Sequence, residues 1–231
     1  MSEASSPETG NPARRRADTS APARRTRNSA KTKAAILAAG RVEFAERGFE
    51  GARVDAIAER AGANKRLLYH YFGNKEELYS AVLLDAYQEI RQGERGLSLD
   101  QYEPVDAMDR LVRFTFRHFL ANPWFTKLLS TENVENARFL KQLPDIPGLH
   151  SPLVGQIRAI LERGNETGVF RRDVDPIQLY ISIAALGYFY VSNMATLSVI
   201  FDRDLSSVSM VQEREAQAVQ MVLDYLKTKP R

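Results

Sequence analysis

The chain contains no cysteine and only three histidines, His70, His118 and His150, far apart in sequence. The first absence excludes disulfide frameworks, thiolate zinc sites, iron–sulfur clusters and cysteine nucleophiles. The second leaves too little for a histidine-rich metal site, so no metal or other cofactor is expected. A Gly-x-Ser-x-Gly elbow, a phosphate-binding glycine-rich loop, a His-Glu-x-x-His pair and an Asp-rich calcium loop are all missing. Sustained alternation of apolar and polar residues is also missing, as are Asn-Gly and Asp-Gly hairpin turns, so strands are not expected. The N-terminus lacks the apolar run of a secretory signal, which makes a cytoplasmic location the expectation.

What is present is 231 residues, 44% of them hydrophobic, enough for one large or two small domains with a real core. The net charge is only +3, but the first 33 residues carry +5 and the remainder −2. A basic head on a slightly acidic body points one end toward a polyanion. Residues 1–28, rich in Ser, Ala, Pro and Arg, read as a disordered basic tail. Its arginine clusters either brush phosphates or simply keep a solvated tail soluble. Residues 177–201 carry no charge and are long enough to cross a bilayer. Scattered Ser, Thr and Asn, mid-segment tyrosines and flanks without a Lys/Arg excess argue instead for a buried helix and no membrane.

Every segment after residue 30 reads as helix, making the fold all-α. The first helix spans 30–47 and stops at Gly48. Gly40 inside it is costly by about 1 kcal/mol relative to Ala, and close approach of another helix would explain it. Short helices follow over 54–60 and 65–71, separated by Gly62, with Asn64 placed to cap the second. Asn74 and Glu77, three apart, form a capping pair that opens a helix over 74–91. Gly93, Gly96, Asp100 and Pro104 read as loop. Further helices are expected over 105–120, from Asn122-Pro123 onward, over 152–167, from Asp175-Pro176 through the uncharged stretch, and over 210–227; residues 143–148 read as a connection.

Two seven-residue helices are unstable alone. Joined by a tight glycine turn and backed by a preceding helix, they match a helix–turn–helix, whose second helix enters the DNA major groove. Lys65, Arg66 and Leu67 open that second helix. Arg or Lys reaches guanine O6 and N7, and Leu67 can touch a thymine methyl. In isolation the two cations would read as a solvated face.

The stretch GARVDAIAERAGANKRLLYHYFGNKEELYSAVL resembles the DNA-binding signature of the TetR family, the tetracycline-repressor-like regulators. The resemblance covers about residues 33–83 and rests on Phe44, Gly48, Phe49, Gly51, Ile57, Ala58, Ala61, Gly62, Leu68, Tyr69, Phe72, Lys75, Glu76 and Leu78. It implies a three-helix DNA-binding domain over 29–76 and a helical ligand-binding and dimerisation domain over 77–231. It also implies phosphate contacts from Tyr69, His70 and Lys75, the last at a helix N-terminus that already favours anions. Asn64 joins the same DNA-facing set. The family's Thr or Ser before the second helix is absent, and Arg53 would supply the phosphate contact instead, leaving that helix without its hydroxyl cap.

The helix after Asp175 carries two apolar stripes. One holds Ile177, Ile181, Ala184, Tyr188, Val191 and Ala195; the other holds Leu179, Ile183, Leu186, Tyr190 and Leu197. A helix apolar nearly all round is buried on both sides. The economical arrangement is a homodimer, with Val219, Val222, Leu223 and Leu226 of the last helix added to the interface. The resemblance likewise implies a homodimer on a palindromic double-stranded DNA operator. It further implies a small-molecule effector that enters the bundle and lowers DNA affinity. Tyr87, Phe116, His118, Trp124, Asn133, Phe189 and Asn193 are the residues singled out for such a cavity, with Arg113 and Glu132 as further polar contacts; most of the bundle's aromatics read as ordinary core. A planar or aromatic effector is the expectation, and the helix over 74–91 the lever. The alternatives are a DNA-binding regulator without a ligand, and an enzyme. Glu132 and Glu135, three apart, form the one carboxylate pair considered, and a solvated face is the preferred reading of it.

Overall fold

A computed structural model of the chain describes the backbone over residues 21–227 and the side chains over residues 29–227. Nine α-helices account for most of the described residues: α1 (Ala21–Gly51), α2 (Val54–Arg60), α3 (Lys65–Phe72), α4 (Lys75–Gly96), α5 (Pro104–Ala121), α6 (Pro123–Val134), α7 (Ile146–Glu166), α8 (Pro176–Ile200) and α9 (Val208–Leu226). Among the described residues there is no strand, only an isolated antiparallel bridge between Phe170 and Lys227. The all-α expectation holds.

The first helix starts at Ala21, earlier than the residue-28 edge of the expected tail. Residues 21–27 supply alanine and arginine, both good helix formers, and Pro22 suits a first turn. Residues 1–20 of that tail lie outside the described residues. The helix ends in practice at Gly48, whose φ of 65° is left-handed backbone open to glycine. Gly40 is explained by contact: a Cβ there would lie 3.0 Å from Val82 of α4.

Two boundaries differ from expectation. The segment containing Gly93 and Gly96 is not loop, because α4 runs through it. Gly93 sits where α4 crosses α5, and a Cβ would stand 2.5 Å from the ring of Phe114. The glycine marks close helix packing rather than a break. Residues 143–148 are not all connection either: α7 begins at Ile146, capped by Asp145, whose Oδ1 accepts from the Gly148 N–H at 3.0 Å. Pro147 lies in its first turn. Pro152, expected at the helix start, falls inside α7 at an exposed position, where it has no N–H to offer the preceding turn.

The head packs α1–α3 and the first half of α4 around Ile36, Phe44, Ile57, Leu68, Leu78 and Val82. Residues 78–83 belong to this core, so α4 is shared between head and body. The body packs α5, α7, α8 and α9 around Leu111, Ile157, Ile160, Ile183 and Val222. Helix α6 and the segment after it join the two, with Leu128 and Phe139 in the head core. Phe139, fully buried beyond the end of α6, packs tilted against Phe49 at 4.4 Å and edge-on against Tyr79 at 4.7 Å within the head core.

The stripe on α8 containing Leu179, Ile183 and Tyr190 is buried in the protomer. The other divides. Ala184, Tyr188 and Val191 pack half-buried beside Phe119 and Phe125, while Ile177 and Ile181 are each 52% exposed. Helix α8 is long and apolar enough to cross a membrane, yet one face of it packs into the bundle core. On α9 the expected interface stripe turns inward: Val219, Val222 and Leu226 are core, because their spacing faces the bundle, where α9 packs on α5 and α8. Met221 and Tyr225 point outward instead.

Candidate nucleic-acid interface and ligand cavity

Helix α3 is anchored by Leu68, fully buried against the head core, with Tyr71 and Phe72 half-buried beside it. That fixes which face is outward: Lys65, Arg66, Tyr69 and His70 are exposed, and Leu67 is half-exposed. Asn64 caps the helix, its Oδ1 accepting from the Leu67 N–H at 2.7 Å. Lys65 reaches across to α2, its Nζ 2.9 Å from Asp55, and that hydrogen bond and charge hold the ammonium above its ordinary pKa. Lys75 stands at the start of α4. Its Nζ donates to the Glu50 carbonyl at 3.1 Å and lies 4.8 Å from the ring of Phe49.

Arg53 precedes α2 in extended backbone and provides no side-chain cap. The backbone donor there is satisfied from α1: Glu43, buried, accepts the Arg53 N–H at 3.1 Å and pairs with Arg47 at 3.4 Å. Glu43 thus holds the backbone entering α2, which has no side-chain cap. Nothing in the spacing of Glu43 reveals this, since it falls on an ordinary helical turn with Arg47.

Within the body, a cavity of about 380 Å³ opens between α4, α6 and α8, with His150 of α7 on its wall. Tyr87, Phe125, Tyr180 and Tyr188 give it aromatic sides, and Asn133 lies at its exposed edge. Burial pushes the Tyr87 hydroxyl up to about 12. His150 Nδ1 bonds the Ile146 carbonyl at 3.0 Å, which makes Nδ1 the protonated nitrogen, and burial lowers the ring's pKa and keeps it neutral.

The charged group of the cavity is Arg91, 2% exposed. Its Nη2 donates to the Tyr180 hydroxyl at 2.8 Å and lies 3.0 Å from Glu94 Oε1. Its Nε and Nη1 are buried without an acceptor, and neither Glu94 oxygen accepts a hydrogen bond. Burial raises the Glu94 carboxyl to about 7 against the opposing pull of Arg91.

Of the seven residues singled out from the sequence, Tyr87 and Asn133 line this cavity and five do not. Phe116 is core beside Tyr190 and Leu205. His118 stands behind Phe125 at 5.4 Å and faces an open groove of about 700 Å³ on the other side of α5. Trp124 packs under the Arg41 guanidinium, 4.5 Å away, between head and body. Phe189 is 57% exposed on the outer face of α8, and the Asn193 amide is spent on the Phe189 carbonyl at 2.9 Å and on Ser192. Aromatic content locates a bundle, but helix phase decides which rings face a void. Arg113 is committed to Asp109 at 2.8 Å and to Glu215. Glu132 is not on a solvated face: it is buried and accepts the Leu140 N–H at 2.9 Å. The missed cavity residues are Arg91, His150 and Tyr180; Arg91 stands among Gln88, Glu89, Gln92 and Glu94, so the sequence around it reads as a solvated face.

Two family models match the chain: bacterial regulatory proteins of the tetR family over residues 36–82, and a tetracyclin repressor-like C-terminal domain over residues 104–222. The chain is 36% identical to the HTH-type transcriptional repressor NicS of Pseudomonas putida over 174 residues, 75% of this chain and 82% of that protein. It is 32% identical to the HTH-type transcriptional repressor SCO4008 of Streptomyces coelicolor over 67% of this chain and 76% of that one. The same fold is found in the crystal structure of the regulator SCO4942 from Streptomyces coelicolor, with a TM-score of 0.62 at 24% identity over 84% of this chain and 98% of that one.

Proposed function

Since the chain belongs to the TetR family of transcriptional regulators and is not an enzyme, we propose that it is a cytoplasmic repressor that binds a palindromic operator as a homodimer and is released by a small molecule. Similar proteins named as repressors support the sign of regulation. The observation that carries DNA reading is the outward face of α3, with Lys65, Arg66, Tyr69 and His70 exposed around an inward Leu68. Arg66 and Leu67 then read base edges, while Tyr69, His70, Lys75 and Arg53 hold phosphates.

Pairing of two copies through α8 and α9 accounts for the apolar groove of about 490 Å³ between them, floored by Leu186 and Val222 and flanked by Phe189, Met221 and Tyr225. The route from cavity to DNA runs two ways. Helix α4 carries Tyr87 and Arg91 on the cavity wall and Leu78 and Val82 in the head. Helix α6 carries Leu129 on the wall and, beyond its end, Phe139 in the head. A ligand that favours one arrangement of α4 and α6 shifts the spacing of the two heads by its differential affinity.

Selection of duplex oligonucleotides by the purified protein tests the reading. A palindromic consensus bound by a dimer is expected, as is loss of binding when an effector is added. Indifference to sequence at low salt would overturn it.

A further inference from the structure

The cavity contains a cation that the protomer satisfies only in part: Arg91 Nη2 is paired with Tyr180 and Glu94, while Nε and Nη1 have no acceptor. Resting on the ligand-responsive reading above, we propose that the effector is a small aromatic carboxylate whose carboxyl group docks on the open N–H groups of Arg91. A buried donor left without an acceptor is costly, and more so when charged. Arg91 keeps two such nitrogens, Nε and Nη1, inside a pocket wall. A side chain with only a packing role would be cheaper as leucine or methionine.

The neighbours fix the sign and size of the occupant. Among the described residues Glu94 is the only carboxylate in ion-pair range of Arg91, and burial raises its carboxyl to about 7, half-protonated near neutral pH. The guanidinium therefore retains positive charge for an incoming anion, but one cation suits a monoanion better than a dianion. His150 is neutral and adds none. The remaining wall, with Tyr87, Phe119, Phe125 and Tyr188, offers ring faces and edges to a planar body. About 380 Å³ is at the small end of ligand sites and admits one or two rings. A charge-assisted bond formed away from water discriminates an acid from its isosteric amide.

The test is calorimetric titration of the full chain with benzoate and 1-naphthoate against benzamide and 1-naphthamide, on the wild type, Arg91→Gln and Tyr180→Phe. The acids are expected to bind at least tenfold more tightly than their amides, and the difference to vanish in Arg91→Gln. Tyr180→Phe, which keeps the guanidinium but removes its hydroxyl partner, is expected to retain the preference for acids, and so serves if Arg91→Gln loses its helical circular dichroism. Amides binding as tightly as acids would overturn the assignment while leaving a ligand-responsive repressor in place. If no acid or amide bound and none released operator DNA, the assignment would fail together with the reading it rests on.

Discussion

The ring of Phe139 lies 4.7 Å from that of Tyr79, although one follows α6 and the other sits in the head half of α4. The body thus contributes a fully buried side chain to the core on which the DNA-reading helix rests. Phe139→Ala is expected to destabilise the protein by about 3–5 kcal/mol, the usual range for a buried phenylalanine. Urea denaturation measures this. Operator affinity should fall in the same variant, and a loss of stability with unchanged affinity would uncouple the two units.

Arg66 and Lys75 separate base reading from phosphate holding. Arg66→Ala is expected to cost roughly 1–3 kcal/mol at particular base pairs and to relax preference there. Lys75→Ala should weaken binding to all duplexes alike and lower the salt slope by about one. Its ammonium also bonds the Glu50 carbonyl, so a modest drop in melting temperature should accompany it. Binding titrations over a salt series distinguish the two.

Glu94 gives the stability a definite pH slope. Its carboxyl is held at about 7 in the fold against 4.5 when exposed. Between those values the folded state binds the proton that the unfolded state has lost, so stability falls as pH rises through the window. The amount at stake is on the order of 3 kcal/mol. Glu94→Gln is expected to flatten this slope, which melting temperatures of both proteins from pH 4.5 to 7.5 would reveal.

Phe189 tests the pairing of protomers. It is 57% exposed beside Met221 and Tyr225. Phe189→Arg should leave the protomer folded, convert dimer to monomer in sedimentation experiments, and abolish tight binding to a palindrome. A dimer that persists would move the interface elsewhere.

Gly93 and Gly155 are both helical and should respond oppositely to alanine. A Cβ at Gly93 meets Phe114 at 2.5 Å, whereas one at Gly155 meets nothing within 4 Å. Gly93→Ala is expected to destabilise by about 1–3 kcal/mol through overpacking, and Gly155→Ala to stabilise by up to about 1 kcal/mol. Thermal melts of the two variants decide.

The head was legible because its signals are local. Asn64 and Asn74 cap within three residues, Gly48 stops a helix at its own position, and Leu68 follows from helical phase. Asp175-Pro176 opened α8 for the same reason. The failures were all tertiary. Gly93 breaks helices in the absence of a partner, but Phe114 supplied one from α5. The entry to α2 is held by Glu43, ten residues earlier, through a bond to the Arg53 N–H that no spacing rule contains. Phe116 of α5 and Tyr87 of α4 are equally aromatic in sequence, and only the packing of their two helices turns one into the core and the other onto a void.

The outer face of α8 ties the regulator to its own abundance. A lone copy leaves Ile177, Ile181 and Phe189 wet, and on the proposed pairing a second copy dries them. Mass action then makes freshly made, scarce chains both the most fragile and the least able to silence a promoter. Repression on this arrangement sets in steeply with copy number rather than in proportion to it, a threshold imposed by a strip of uncovered hydrocarbon.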